Sequence, residues 1–151
     1  MHMEKPTRAV DTIARDCIAV RLRSLNRVVT NLYDDELRPL GLKASQLNIL
    51  IATAKLGLAR PAQVCEILQL DASTLSRNVE RMRSNGWLEA VVEEDARSQP
   101  FRLTPLGKKL IEKAFPAWKR AQRTASRLLG EEGIALFDRV SKSCPSRGAK
   151  D

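Results

Sequence analysis

Residues 61–104 read PAQVCEILQL DASTLSRNVE RMRSNGWLEA VVEEDARSQP FRLT, and the order of signals along them decides the fold. Pro61 suits the first position of a helix, where its missing N–H would have had no partner. Val64, Cys65 and Leu68 follow as the inward set of a short helix. Gln69 and Leu70 lead to Asp71, a strong N-cap for the next helix. Along that helix Leu75, Val79 and Met82 recur at spacings of four and three, which makes one apolar face. Asn85-Gly86 supplies a left-handed stop. Residues 87–92 then read as a strand, 93–98 as a polar loop and Phe101–Leu103 as a returning strand. Thr104 caps a further helix that Pro105 begins.

Outward from this stretch, Ala44–Leu56 reads as a helix with Leu47, Leu50, Ile51 and Ala54 on one face. Ser45 helps to start it and Gly57 closes it. Upstream, apolar residues from Val10 through Ile13, Cys17, Leu22, Leu25 and Val29 to Leu32 keep helical spacing, so one long helix is expected from Ala9 to about Arg38. Pro39 ends it, because the residue before a proline disfavours helical geometry. Downstream, Leu106, Leu110, Ala114, Ala121, Ala125 and Leu128 stay in phase up to Gly130, with a kink expected near Pro116. A last helix, Glu131 to about Lys142, carries Ile134, Phe137 and Val140.

The expected architecture is mainly α with a small β-hairpin wing. A winged helix-turn-helix over residues 39–104 is flanked by dimerisation helices at 9–38 and 105–142, with disordered ends at 1–8 and 143–151. The flanking helices carry longer apolar seams than the central domain can cover. A second copy of the same helices is the simplest partner, and a homodimer is therefore expected.

The 151 residues carry 26 Lys and Arg against 18 Asp and Glu, a net charge of +8, with a hydrophobic fraction of 43% that suffices for a core. The charge is spread: residues 71–110 hold seven basic and six acidic side chains, a net of +1. A mixed surface of positive bias is compatible with nucleic acid but does not by itself indicate it. The single histidine is His2, which excludes histidine-based triads and most catalytic zinc sites. Cys17, Cys65 and Cys144 form no CxxC pair, so neither a disulfide framework nor a zinc finger is expected. No apolar run reaches the roughly 18–20 residues of a membrane span, and no apolar leader stands at the N-terminus. A cytoplasmic protein that binds rather than catalyses is expected, without cofactor, metal or membrane partner.

In a helix-turn-helix the second helix lies in the major groove of DNA. With Leu75, Val79 and Met82 turned inward, the opposite face presents Ser73, Arg77, Glu80, Arg81 and Ser84, flanked by Thr74 and Ser76. Hydroxyls bond phosphates or bases, and arginine pairs in bidentate fashion with guanine O6 and N7. A solvated helix face with an ordinary cap accounts for the same residues. In the hairpin loop, Arg97 is placed to enter a minor groove, and Asp95 to pair with it and shape the tip. The plain alternative is that Glu93, Glu94 and Asp95 only make the loop soluble.

Five fragments in order then resemble the MarR family, the multiple-antibiotic-resistance regulators, over about residues 15–130. They are Leu40-Gly41-Leu42 with Ser45-Gln46-Leu47; Leu70 to Arg77; Arg81-Met82 with Asn85-Gly86-Trp87-Leu88; Asp95-x-Arg97-Ser98; and Leu103-Thr104-x-x-Gly107. The resemblance implies a homodimeric winged-helix transcription factor on double-stranded DNA, usually a repressor of a nearby operon. It also implies release from DNA when a small phenolic or lipophilic effector binds or a sensor cysteine is oxidised. A winged-helix protein-interaction module without sequence-specific DNA binding is the competing expectation, and Arg77 and Arg97 separate the two.

Cys17 lies on the seam of the first helix, either as a small buried hydrophobe or as a redox sensor flanked by Arg15 and Arg21. Peroxide-sensing members of the family carry a first-helix cysteine with two supporting tyrosines. Here Tyr33 is the only tyrosine, and the position expected for a second reads Lys43-Ala44-Ser45-Gln46. Cys65 is expected in the core and Cys144 in the tail. For effector control, the resemblance implies a pocket where the dimer helices meet the winged domain, with Arg23, Asn26, Tyr33 and Trp118 as conceivable lining.

Overall fold

The computed structural model describes residues 7–94 and 99–144. Its elements are α1 (Arg8–Asp16), α2 (Ile18–Leu37), a 3₁₀ turn (Arg38–Leu40), α3 (Ala44–Leu56), α4 (Pro61–Leu68), α5 (Ala72–Ser84), β1 (Leu88–Ala90), β2 (Phe101–Leu103) and α6 (Pro105–Ser143). This is the expected mainly helical winged helix-turn-helix, with α4 and α5 as its helix pair and β1–β2 as its hairpin.

The core is built from Leu37 and Leu42, from Ile49 and Leu50 of α3, Val64 of α4, Leu75 and Met82 of α5, and Leu88 and Phe101 of the hairpin. β1 and β2 pair antiparallel, with Leu88 opposite Leu103, Glu89 opposite Arg102 and Ala90 opposite Phe101. Ala59 joins the far side of β2 through reciprocal bonds with Phe101, 2.8 and 2.9 Å. That bridge ties the hairpin to the segment just before α4. Along α6, Gly107, Ala114, Ala117, Ala121 and Ala125 are buried. Small side chains at helical spacing let α2 lie close along this helix.

Four expectations are corrected. The long N-terminal helix is two helices, because Cys17 leaves helical geometry at φ −66°, ψ 108°. No residue of α1 is buried, so among the described residues no core packing holds it in line with α2. The inward face of α3 comprises Gln46, Leu47, Ile49, Leu50, Ala52 and Thr53, while Ile51 and Ala54 are exposed. Helix α3 runs through the middle of the domain, with α2, α4, β2 and α6 around it, so its neighbours and not its apolar stripe set which side is covered. Its start is held not by Ser45 but by Asp34, whose Oδ1 accepts the Ala44 N–H at 2.7 Å, and by Gln46, whose Oε1 accepts the Lys43 N–H at 3.0 Å. Finally, α6 keeps helical dihedrals through Pro116, the expected site of a kink, and its break falls at Gly130, at φ 68°, ψ 171°, the expected boundary between one helix and the next.

The strand expected over 87–92 shortens to Leu88–Ala90, and beyond it the Val91 N–H still reaches the Pro100 carbonyl at 2.8 Å. Helical structure begins at Arg8, capped by Thr7, and persists to Ser143, within segments expected to be disordered. Residues 1–6 and 145–151, and the loop residues Asp95 and Arg97, lie outside the described residues.

Candidate DNA-reading surface

The position of α5 follows from its two ends and one face. At its start the Asp71 carboxylate accepts the Thr74 N–H at 2.8 Å. At its end Gly86, at φ 74°, lets the Trp87 N–H turn back to the Met82 carbonyl at 2.9 Å. Leu75 and Met82 are buried against the core and Val79 is half-buried, as the spacing requires. The opposite side is outward: Ser73, Ser76, Arg77 and Arg81 are exposed and Thr74 is half-buried. All five sequence-derived candidates on this helix therefore share one accessible face.

Their hydrogen bonds add what spacing did not reveal. Ser73 Oγ donates to Asp71 Oδ1 at 2.6 Å, and Thr74 Oγ1 donates to Oδ2 at 2.7 Å. The Ser73 hydroxyl, then the Thr74 hydroxyl and N–H, hold the Asp71 carboxyl well below the usual carboxylate range. An ionised carboxylate only accepts, so both hydroxyl protons point at Asp71 and both oxygens offer lone pairs to other donors. Arg77 Nη2 approaches Thr74 Oγ1 at 3.5 Å, at the limit of a hydrogen bond. Behind this face, Asn78 Nδ2 donates to the Thr74 carbonyl at 2.9 Å.

The hairpin stands beside α5 and carries two ion pairs. Glu89 accepts from Arg102 Nε at 2.6 Å across the strands. Arg60 Nη2 donates to both carboxylate oxygens of Glu93, at 3.1 and 3.0 Å. The Glu89–Arg102 pair is legible from hairpin register, whereas Arg60 and Glu93 lie 33 positions apart with no local signal joining them. Glu93 is thus more than a solubilising loop residue.

Between α3, α4 and α6 opens an apolar cavity of about 500 Å³, lined by residues that include Ile51, Ile67, Phe115 and Trp118, with Lys55 as its one charged lining residue. Phe115 and Trp118 stack, with ring centroids 6.0 Å apart. Trp118 is the only one of the four conceivable lining residues found here. Asn26 borders a separate groove between α2 and the end of α6, and the Tyr33 hydroxyl donates to Gln122 Oε1. Cys17 is half-buried at the α1–α2 break, Cys65 is half-buried and not fully in the core, and Cys144 is exposed. The arginines flanking Cys17 are engaged elsewhere: Arg15 with Asp16, and Arg21 with the Arg15 carbonyl. Among the described residues no cluster of potential metal ligands occurs, and no helix is long and apolar enough to cross a membrane.

With this geometry in place, comparison with known proteins is specific. Residues 40–98 match the MarR family. The chain is 28% identical over 86 residues to the uncharacterized HTH-type transcriptional regulator YwoH of Bacillus subtilis, covering 57% of this chain and 63% of that protein. It is 26% identical over 124 residues to the multiple antibiotic resistance protein MarR of Salmonella typhimurium, covering 80% of this chain and 86% of that one. Among solved structures, the M. tuberculosis transcriptional regulator MOSR in complex with DNA superposes with a TM-score of 0.71 at 26% identity, over 85% of this chain and 98% of that one. The helix pair, the short hairpin, the α5 cap and these matches together make the chain similar to the MarR family of winged-helix transcriptional regulators.

Proposed function

We propose that the chain is one half of a homodimeric repressor that binds a pseudo-palindromic operator and leaves it when an effector binds. The observation that carries this reading is the outward face of α5, where Ser73, Ser76, Arg77 and Arg81 are exposed on a helix locked inward by Leu75 and Met82. In the major groove Arg77 pairs with guanine and Arg81 with a phosphate. Ser73 and Thr74, their protons turned to Asp71, accept from the amino groups of adenine or cytosine, and Ser76 adds a further polar contact. Arg97 enters the minor groove beside the hairpin, and Asp95 shapes the loop by pairing with it.

Dimerisation is supported by what the single chain leaves uncovered. Val10, Ile13, Ile18, Leu22 and Val28 from α1 and α2 are exposed, as are Leu128, Leu136, Phe137 and Val140 from α6. A two-fold pairing through these helices sets two copies of α5 into successive major grooves, about 34–36 Å apart. The cavity beside Trp118 suits a small phenolic or lipophilic effector, with Lys55 available to an anionic group. Oxidation of Cys17 is a second route to release, supported by its half-buried place at the break between two amphipathic helices. A regulator acting on chromosomal DNA carries with it a cytoplasmic location.

Footprinting on the region upstream of the protein's own gene, at fixed salt, tests the reading. Two protected half-sites one helical turn apart are expected. Arg77→Ala should weaken binding roughly tenfold or more and relax the preference at one base pair. A chain that protects no duplex, or an Arg77→Ala variant that binds like wild type, overturns it. Loss of protection under organic peroxide in wild type but not in Cys17→Ser assigns the release to that thiol. Equal loss in both removes the oxidation route.

A further inference from the structure

The root of the hairpin is fixed by backbone bonds: the β1–β2 register, the Ala59–Phe101 bridge and the Val91–Pro100 bond. Among the hydrogen bonds of the described residues, only Arg60–Glu93 ties a residue lying between Val91 and Pro100 to the helical body. Arg60 immediately precedes Pro61, the first residue of α4, so its backbone is held by the helix pair itself. One guanidinium nitrogen, Arg60 Nη2, is shared between both oxygens of Glu93, a charge-assisted contact that holds the carboxylate close to the start of α4.

We infer that Arg60 and Glu93 are a positioning pair that holds the hairpin arm at the angle to α5 that DNA binding requires. The inference rests on the DNA-binding reading above. Two physical arguments support it. The pair is substantially exposed, with 47% and 33% of the two side chains accessible, and such pairs add little to stability. Its effect is therefore on orientation and not on the fold. Moreover, Glu93 sits on an arm expected to approach DNA, where an unpaired carboxylate repels phosphate. Pairing with Arg60 neutralises that charge while using it as a tether.

The sign of one substitution separates this from a charge effect. Glu93→Gln keeps the shape and removes a negative charge, so electrostatics alone makes it bind DNA more tightly. The positioning role makes it bind more weakly, by about three- to tenfold at fixed salt, the range of a single coupled side-chain pair. The exchange of partners, Arg60→Glu with Glu93→Arg, should recover most of the affinity that each single change loses. Thermal midpoints measured alongside should stay close to wild type throughout.

Unchanged or tighter binding by Glu93→Gln overturns the inference. So does a double exchange no better than its singles. Weaker binding by Arg60→Gln together with tighter binding by Glu93→Gln also overturns it, and makes Arg60 a phosphate contact instead. If wild type itself protects no duplex, the DNA-binding reading falls and takes this one with it. If wild type binds and the Glu93 variant is unaffected, only this one falls.

Discussion

The α-carbon of Gly107 lies against the carbonyl of Trp87, so close that a Cβ at position 107 would stand 2.2 Å from that oxygen. The same carbonyl accepts the Thr104 N–H at 3.1 Å, and the Thr104 hydroxyl joins the two helix ends by accepting from the Gly107 N–H and donating to the Gly86 carbonyl. The end of α5, the first strand and the start of α6 therefore meet at one point with no room for a side chain.

Gly107→Ala must push the hairpin away from α6. Overpacking of this kind costs about 2–3 kcal/mol. Urea unfolding should show a lower midpoint with little change in slope. A variant as stable as wild type would mean the junction relaxes freely.

Asp71 couples α5 to pH. Its carboxyl titrates below the usual range in the folded chain, with the Ser73 hydroxyl the largest cause, whereas in the unfolded chain it titrates near about 3.9. The folded value is depressed, so the stabilisation is fully present above the unfolded value and is lost as pH falls through the folded one. Asp71→Ala should therefore be less stable than wild type at neutral pH, and the difference in urea midpoint should shrink once the pH drops below about 4. A difference that stays constant into acid would show that the charge does not matter.

Tyr33 is the only tyrosine, so phenolate absorbance reports it alone. Burial between α2 and α6 raises its pKa. The native chain should titrate above the ordinary value of about 10, and the chain in urea near it. Because the folded value is the higher, the stability from the neutral phenol holds below about pH 10 and declines as pH rises through the folded value. Coincident native and denatured curves would place the ring in solvent.

Phe137 is 42% exposed on the last stretch of α6, where it borders the groove against α2. If the apolar terminal helices join two copies, Phe137→Asp should sediment as a monomer where wild type is a dimer, and bind operator weakly. A dimer unaffected by the change would move the interface elsewhere.

Most of the winged domain was legible because its boundaries are local chemistry. Pro61 at a first helical position, Asp71 as a cap, Gly86 as a stop and Thr104-Pro105 as a start each act within a few residues, and α4, α5, β2 and the start of α6 fall where those signals put them. The inward triplet of α5 was legible for the same reason, and with it the outward face that carries Ser73, Arg77 and Arg81. The hydrogen bonds on that face were not. Whether a serine or threonine near a cap faces a ligand or its own aspartate depends on side-chain rotamers that spacing leaves open.

What the chain determined by itself, then, is the order of its helices, the hairpin and the surface of α5, because caps, breakers and periodicity need no distant partner. The tertiary structure decided which side of α3 is covered, where the first helix breaks, and that Arg60 meets Glu93. Those outcomes depend on what packs around Ile51, on α1 having no buried residue to pack it, and on an approach between residues 33 positions apart. Each is a contact energy between segments remote in sequence, which no local pattern encodes.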